Sequence, residues 1–288
     1  MKDHLIIATS GNGHVRIYAA FTAATVETAR KIHDVWPTAI AALGRVLTAT
    51  LITGVMSDNP YRLTVQIKGD GPLGMILAVS NRRGEVKGYL ENPHVDLDLN
   101  PSGKLDVGAA IGSGTLTVIK DYGLKSPYYG VVPLQNGEVA MDFAYYFTKS
   151  EQTPSAVSLG VLVEPDGSVK IAGGLIIQIM PGATEEQIRT LEEKLNELPP
   201  LTTMLKSGMT PTDLINEVTG AMGAKILEEV ALSYRCDCSR ERFLGPLLSL
   251  GQGELDGIIN EQGLVEVRCH FCNKRYHYRE SELKSEQG

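Results

Sequence analysis

Residues 61–68 alternate strictly between apolar and polar side chains. Tyr61, Leu63, Val65 and Ile67 fall on one side, and Arg62, Thr64, Gln66 and Lys68 on the other. Successive side chains of a strand point to opposite faces, so this is the pattern of a half-buried β-strand. Apolar runs at residues 5–8 and 15–20 flank Ser10-Gly11-Asn12-Gly13 and predict two strands around a turn. Further strand–turn–strand patterns surround Asn81-Arg82-Arg83-Gly84 and Glu164-Pro165-Asp166-Gly167. The period lengthens over residues 22–36, where Val26, Ala29, Ile32 and Trp36 share one helical face and Pro37 ends the element. A second helix is expected over residues 38–56 and a third over residues 138–149. Strands joined in hairpins, with helices grouped rather than alternating, predict an α+β domain over residues 1–180.

The character changes at Pro181-Gly182. Thr184-Glu185-Glu186-Gln187 reads as a capping box, in which the Thr hydroxyl and the Gln side chain satisfy free amides at a helix start. Ile188, Leu191, Leu195 and Leu198 then recur at helical spacing until Pro199-Pro200 stops them. Thr210-Pro211-Thr212-Asp213 starts another helix, with Pro at its first position and an acid in its first turn. A further helix is expected over residues 224–232. Residues 181–232 thus read as a helical linker of short amphipathic elements, each marginal in water until its apolar stripe finds a surface. A static helical domain has the same pattern.

Residues 233–288 form the third expected part. Val265-Glu266-Val267-Arg268 alternates into Cys269, and Tyr276-His277-Tyr278 alternates out of Cys272, which predicts a hairpin with Cys-x-x-Cys at its turn. A unit this small is near the size at which a hydrophobic core alone is marginal, so it needs a staple.

Charge narrows the function classes. The chain carries 27 basic and 34 acidic side chains, a formal net charge of −7. Residues 181–232 hold 4 basic and 9 acidic groups, while the last 56 residues hold 8 and 9. No region has the basic excess of a general nucleic-acid binder. The apolar run at the N-terminus is too short for a secretory signal, so a cytoplasmic location is the expectation, where thiols stay reduced. Residues 38–56 are long and apolar enough for a membrane span. Arg45 near their centre and four threonines favour a buried core helix.

The candidate chemistry lies in the tail. All four cysteines of the chain fall within its last 53 residues, as Cys236-Asp237-Cys238 and Cys269-His270-Phe271-Cys272 separated by 30 residues. Two close thiolate pairs on either side of a loop match a tetrahedral all-cysteine zinc site. Cys-x-Cys is one residue tighter than usual, but both side chains of an extended Cys-x-Cys point the same way. The zinc site has two readings. It is a structural ribbon, or it is a redox switch whose oxidation destroys the ligands and unfolds the tail. Both spacings permit a disulfide within each half. His270 reads as an exposed knuckle residue, because four cysteines already complete a shell. Gly69-Asp70-Gly71-Pro72-Leu73-Gly74 has the G-x-G-x-x-G form, but Pro72 and the following strand pattern make it a hairpin turn rather than a dinucleotide loop. No phosphate loop or nucleophile elbow occurs, and the chain is expected not to be an enzyme. Two alternatives stay open: a constitutive zinc-ribbon module binding protein or nucleic acid, and a thiol oxidoreductase using Cys269 and Cys272.

The segment Tyr234-Arg235-Cys236-Asp237-Cys238-Ser239-Arg240 with Cys269-His270-Phe271-Cys272-Asn273-Lys274 resembles the redox-regulated chaperone family of heat-shock protein 33, the 33 kDa chaperonins. The resemblance extends to Gly44-Arg45, to the Gly69–Gly74 stretch as quoted, and to Gly88-Tyr89-Leu90-Glu91-Asn92-Pro93. It implies a cytoplasmic, ATP-independent holdase of the stress response. In that family the reduced protein binds one zinc per chain through the four cysteines and is inactive. Oxidative stress forms two disulfides, here Cys236–Cys238 and Cys269–Cys272, and releases the zinc. The tail and linker then unfold, a homodimer forms, and unfolding or oxidatively damaged client proteins are held from aggregation. Neither a nucleic-acid nor a membrane partner is implied. The division that follows is a core and dimerisation domain at 1–180, a linker at 181–232 and a redox-switch domain at 233–288.

Overall fold

The structure is a computed structural model that describes residues 1–57, 62–250, 252–259 and 263–285. The chain divides into two compact units, Met1–Tyr234 and Arg235–Gly288. The first unit begins with β1 (His4–Ser10), β2 (Val15–Phe21), α1 (Ala23–His33) and α2 (Pro37–Met56). Next come β3 (Arg62–Gly69), β4 (Met75–Ser80), β5 (Glu85–Leu90), α3 (Val107–Ile111), β6 (Gly114–Asp121), β7 (Tyr128–Pro133) and α4 (Ala140–Lys149). It closes with β8 (Ser155–Val163), β9 (Val169–Ile179), α5 (Glu185–Glu197), α6 (Leu201–Lys206), α7 (Pro211–Thr219), β10 (Ala224–Ala231) and β11 (Ser233–Tyr234). The second unit contains α8 (Arg240–Leu248), α9 (Gln252–Ile258), β12 (Leu264–Arg268), β13 (Arg275–Arg279) and α10 (Glu280–Ser285).

This is the α+β architecture expected. Two sheets organise the first unit, one in the order β10-β1-β2-β9-β8 and one in the order β11-β5-β4-β3-β6-β7. The alternation of residues 61–68 is that of β3, with Leu63, Val65 and Ile67 fully buried; Tyr61 lies outside the described residues. The turns around Asn81-Arg82-Arg83-Gly84 and Glu164-Pro165-Asp166-Gly167 join antiparallel pairs β4–β5 and β8–β9. The Gly69–Gly74 stretch, likewise, is the β3–β4 turn. Gly71 and Leu73 donate to the carbonyls of Ile111 and Ala110 at 2.9 and 3.1 Å, so backbone rather than a ligand fills that turn.

The long apolar segment is α2, packed on β8 and β9 of one sheet and on β3, β4 and β5 of the other. By length and composition it could cross a membrane, but 89% of its apolar window is buried inside this unit. An all-round apolar helix belongs in a core, and this one is the shared filling between two sheets. A Cβ at Gly44 would stand 2.6 Å from Val26 and 2.8 Å from Val161, so glycine there lets α1 and β8 close onto α2. Arg45 leaves the apolar environment through Glu138, which takes a charge-assisted hydrogen bond from its Nη1.

The five-stranded sheet is apolar on both faces. Leu5, Ile7, Tyr18, Ala20 and Ile176 join the α2 core, while Ile6, Ala8, Ile17, Ala19 and Leu175 face a second cluster. That second cluster is completed by Leu191, Leu201, Met204, Leu205, Leu214, Ile215 and Val218 from α5–α7. The expected caps are present: Thr184 Oγ1 accepts from Gln187 N at 3.3 Å, and Thr210 Oγ1 from Asp213 N at 3.2 Å.

One expectation is corrected. Residues 224–231 are not a helix but β10, antiparallel to β1 from His4↔Ala231 to Ser10↔Ala224. Ala-Lys-Ile-Leu-Glu-Glu-Val-Ala has strong helix propensity, yet the open edge of β1 offers a ladder of backbone bonds that outweighs it. After β10 the chain crosses to the other sheet. Tyr234, the last residue of the unit, donates its hydroxyl to Gly88 O at 2.9 Å, accepts from Gly88 N at 3.3 Å and lies 3.2 Å from His33 Nε2.

Glu27 ties α1 to β9. Its carboxylate accepts from Arg30 Nε at 2.8 Å and from Val169 N at 3.0 Å. The Arg30 bond, with help from Val169 and Lys31, lowers its pKa from 4.5 to about 2 against the opposing effect of burial. A depressed carboxylate contributes stability that is present above 4.5 and lost as pH falls toward about 2. Glu27→Gln should lower stability at neutral pH and flatten the decline across that acid window, as read by urea titration at successive pH values.

Candidate metal centre

The second unit is small, and among the described residues its apolar cluster has six buried members, Leu247, Leu255, Val265, Tyr276, Tyr278 and Leu283, with Phe243, Leu244 and Leu248 among the partly buried side chains packed on them. β12 and β13 pair antiparallel from Leu264↔Arg279 to Arg268↔Arg275. The connecting turn is Cys269–Lys274 in numbering order. Asn273 N donates to Cys269 O at 2.8 Å and Cys269 N to Lys274 O at 2.9 Å, with Asn273 at φ 58°. Asn tolerates that left-handed conformation better than most residues. The turn therefore presents Cys269 and Cys272 at one end of the hairpin, as the alternation predicts. Cys236 and Cys238 sit on the extended stretch before α8, whose start is capped by Ser239 Oγ accepting from Arg242 N at 3.3 Å.

The four sulfurs converge. All lie within 4.8 Å of one another, with Cys236–Cys269 at 3.7 Å and Cys238–Cys272 at 3.3 Å. A tetrahedron with Zn–S bonds of about 2.3 Å has sulfur–sulfur edges of about 3.8 Å, so the cluster has the size of a four-thiolate metal shell. Cys269 is buried and the other three are half-buried. All four are free cysteines. His270 is exposed and outside the cluster, and His277 lies 3.8 Å from Glu266, also away from the sulfurs.

Tyr276 completes the site and was not foreseen from spacing. Its hydroxyl lies 3.1 Å from Cys238 Sγ and donates to Cys238 O at 3.1 Å, while its ring packs on Phe243 at 5.3 Å between centroids. The one available signal was the alternation that puts Tyr276 and Tyr278 on the buried face of β13. Tyr278 acts as a brace, donating to Arg240 O at 2.6 Å with the Arg240 guanidinium 4.4 Å over its ring. Burial pushes the Cys236 thiol far up and the Cys272 thiol up to about 11. Burial also acts against ionisation of Cys238, but the Tyr276 hydroxyl and the neighbouring thiols outweigh it and lower its pKa. Of these three Cys238 ionises most readily, and a divalent cation held here would favour the thiolate form of Cys236 and Cys272 as well.

The sequence model of the Hsp33 protein family matches residues 3–279. This chain belongs to the Hsp33 family. It is 49% identical over 285 residues to the 33 kDa chaperonin of Geobacillus kaustophilus, covering 99% of this chain and 97% of that one. It is 50% identical over 285 residues to the 33 kDa chaperonin of Clostridioides difficile, covering 98% of each. The crystal structure of the 33 kDa chaperonin of Thermotoga maritima superposes with a TM-score of 0.91 at 37% identity, over 99% of this chain and 97% of that one. Membership of the Hsp33 family supports a chaperone function, and the four clustered thiols have room for a metal ion.

Partners one step removed from the ligands typically change metal affinity by about 10–100-fold. Tyr276→Phe should therefore weaken metal binding by about that factor while leaving the fold intact, as read by competition with a chromophoric chelator.

Proposed function

We propose that this protein is a holdase chaperone kept inactive by a zinc ion on Cys236, Cys238, Cys269 and Cys272, and activated when those thiols are oxidised. The observation that carries the reading is the convergence of all four thiols within 4.8 Å in a unit with so short an apolar cluster. Such a unit depends on its staple. Metal-binding energy in small thiolate modules is folding energy, about 10–16 kcal/mol for structural zinc, so loss of the ligands is loss of the fold.

The oxidation step is a two-electron step at each pair. Two thiols lose two protons and two electrons to form one disulfide, and one hydrogen peroxide accepts them and leaves as two waters. We assign the disulfides as Cys236–Cys238 and Cys269–Cys272. This is the pairing that the family resemblance implies, and the Cys-x-Cys and Cys-x-x-Cys spacings permit it, although sulfur contacts of 3.7 and 3.3 Å run across the halves here. A disulfide sulfur has no thiolate charge, so the oxidised site no longer holds the ion.

The consequence reaches the first unit through the chain. Residues 181–232 act as the regulated linker. Their helices α5–α7 cover the sheet face formed by Ile6, Ala8, Ile17, Ala19, Phe21, Leu175 and Ile177. When they leave, a contiguous apolar surface of the kind that marks interaction sites faces water and captures unfolding client proteins. Residues 1–180 form the client-holding and dimerising body, in a cytoplasmic setting where thiols are reduced until stress.

Peroxide with mild heat should release one zinc per chain, measured with a metallochromic dye, in step with the onset of suppression of client aggregation by light scattering. Oxidised, zinc-free protein that leaves aggregation unchanged would sink the reading. Binding that is constant and indifferent to peroxide would favour a constitutive zinc-ribbon module. Cys269→Ser should weaken zinc binding and raise proteolytic cleavage within residues 184–232 without any oxidant; unchanged protection would break the link between site and linker.

A further inference from the structure

We propose that β10 is a detachable strand, and that in the active protein an extended apolar segment of an unfolding polypeptide takes its place on the edge of β1. The inference rests on the redox-chaperone reading above and specifies how the client is held.

β10 is weakly invested in the core it borders. Of its eight residues only Val230 is buried. Ile226 and Leu227 are 50% and 45% exposed. The ion pair from Arg82 to Glu228, at 2.6 Å, is between partly exposed side chains and contributes little. What holds β10 is its backbone ladder to β1, interrupted by a register shift between Ile7 and Ala8. Segments held mainly by exposed backbone bonds open at low free energy. Its N-terminal end leads from a turn in which Gly220 and Gly223 have φ of 47° and 66° with open space where a Cβ would stand, and that turn is tied to the β1–β2 turn by Gly11 N, 3.1 Å from both Met222 O and Gly223 O. Its C-terminal end leads through β11 into the redox unit, so β10 lies on the chain between the sensor and α5–α7.

β1 is the opposite case. Leu5, Ile6, Ile7 and Ala8 are all buried, and on its other side β1 pairs with β2 from His4↔Phe21 to Thr9↔Arg16. The strand stays in place when β10 leaves. It then presents unpaired backbone donors and acceptors along an apolar edge, the arrangement to which an extended peptide adds as a new strand. β10 itself shows what this edge accepts: an extended, antiparallel segment recognised through its backbone, with few demands on side-chain identity. That suits clients of unrelated sequence. Departure of α5–α7 bares Ile6 and Ala8 on the adjoining face, which favours apolar segments over polar ones.

The test is amide hydrogen exchange read by mass spectrometry on the full-length protein in three states: reduced and zinc-loaded, oxidised, and oxidised with carboxymethylated α-lactalbumin, a chain unable to refold. Oxidation should deprotect residues 224–231 and those amides of β1 that face β10, while those bonded to β2 stay protected. The unfolded chain should slow exchange in β1 again by about tenfold or more while residues 224–231 stay exposed. Aggregation suppression is measured on the same samples. An oxidised protein that suppresses aggregation with residues 224–231 still protected, or with client protection that bypasses β1, overturns strand replacement and leaves the redox reading standing. An oxidised protein that suppresses nothing overturns both.

Discussion

A sheet with apolar side chains on both faces cannot stand in water with either face bare, and the first unit is organised around that constraint. One face of the β10-β1-β2-β9-β8 sheet is sealed against α2 and the second sheet. The other is sealed by three short helices, α5–α7. The two covers differ in kind. α2 is a 20-residue helix locked between sheets, whereas α5–α7 are pieces of 13, 6 and 9 residues interrupted by Pro and Gly. The two covers are thus distinguished by length and continuity.

The second unit meets the opposite constraint. Its apolar cluster is small, so its order depends on bringing four sulfurs together, and the residues around them serve that placement. Asn273 makes the turn that sets Cys269 and Cys272, Ser239 starts the helix behind Cys238, and Tyr276 holds Cys238 by hydroxyl and backbone at once. On the proposed reading the thiols that complete the fold are also the ones that an oxidant attacks, so stability and sensitivity share one set of atoms.

Much of this was legible in the sequence where one local pattern decided the outcome. The alternation of β3, the all-apolar α2, the caps at Thr184 and Thr210 and the Cys-x-x-Cys hairpin each follow from a periodicity or a cap that nothing distant overrides. Residues 224–231 were misread because their helical propensity is local while their actual state is decided by β1, more than 200 residues earlier. The convergence of the cysteines was legible from spacing, but the Tyr276 hydroxyl was not, since only packing brings Tyr276 and Cys238 together across 38 positions.

Tyr234 closes the first unit, its hydroxyl meeting both the N–H and the carbonyl of Gly88 and the ring of His33. On the proposed route from sensor to linker, the loss of order must pass this residue before it reaches β10. A tail that frays and recovers within the lifetime of those bonds leaves the linker untouched. One that stays unfolded has time to outlast them. On that route the phenol is a filter in time, passing sustained damage and rejecting noise.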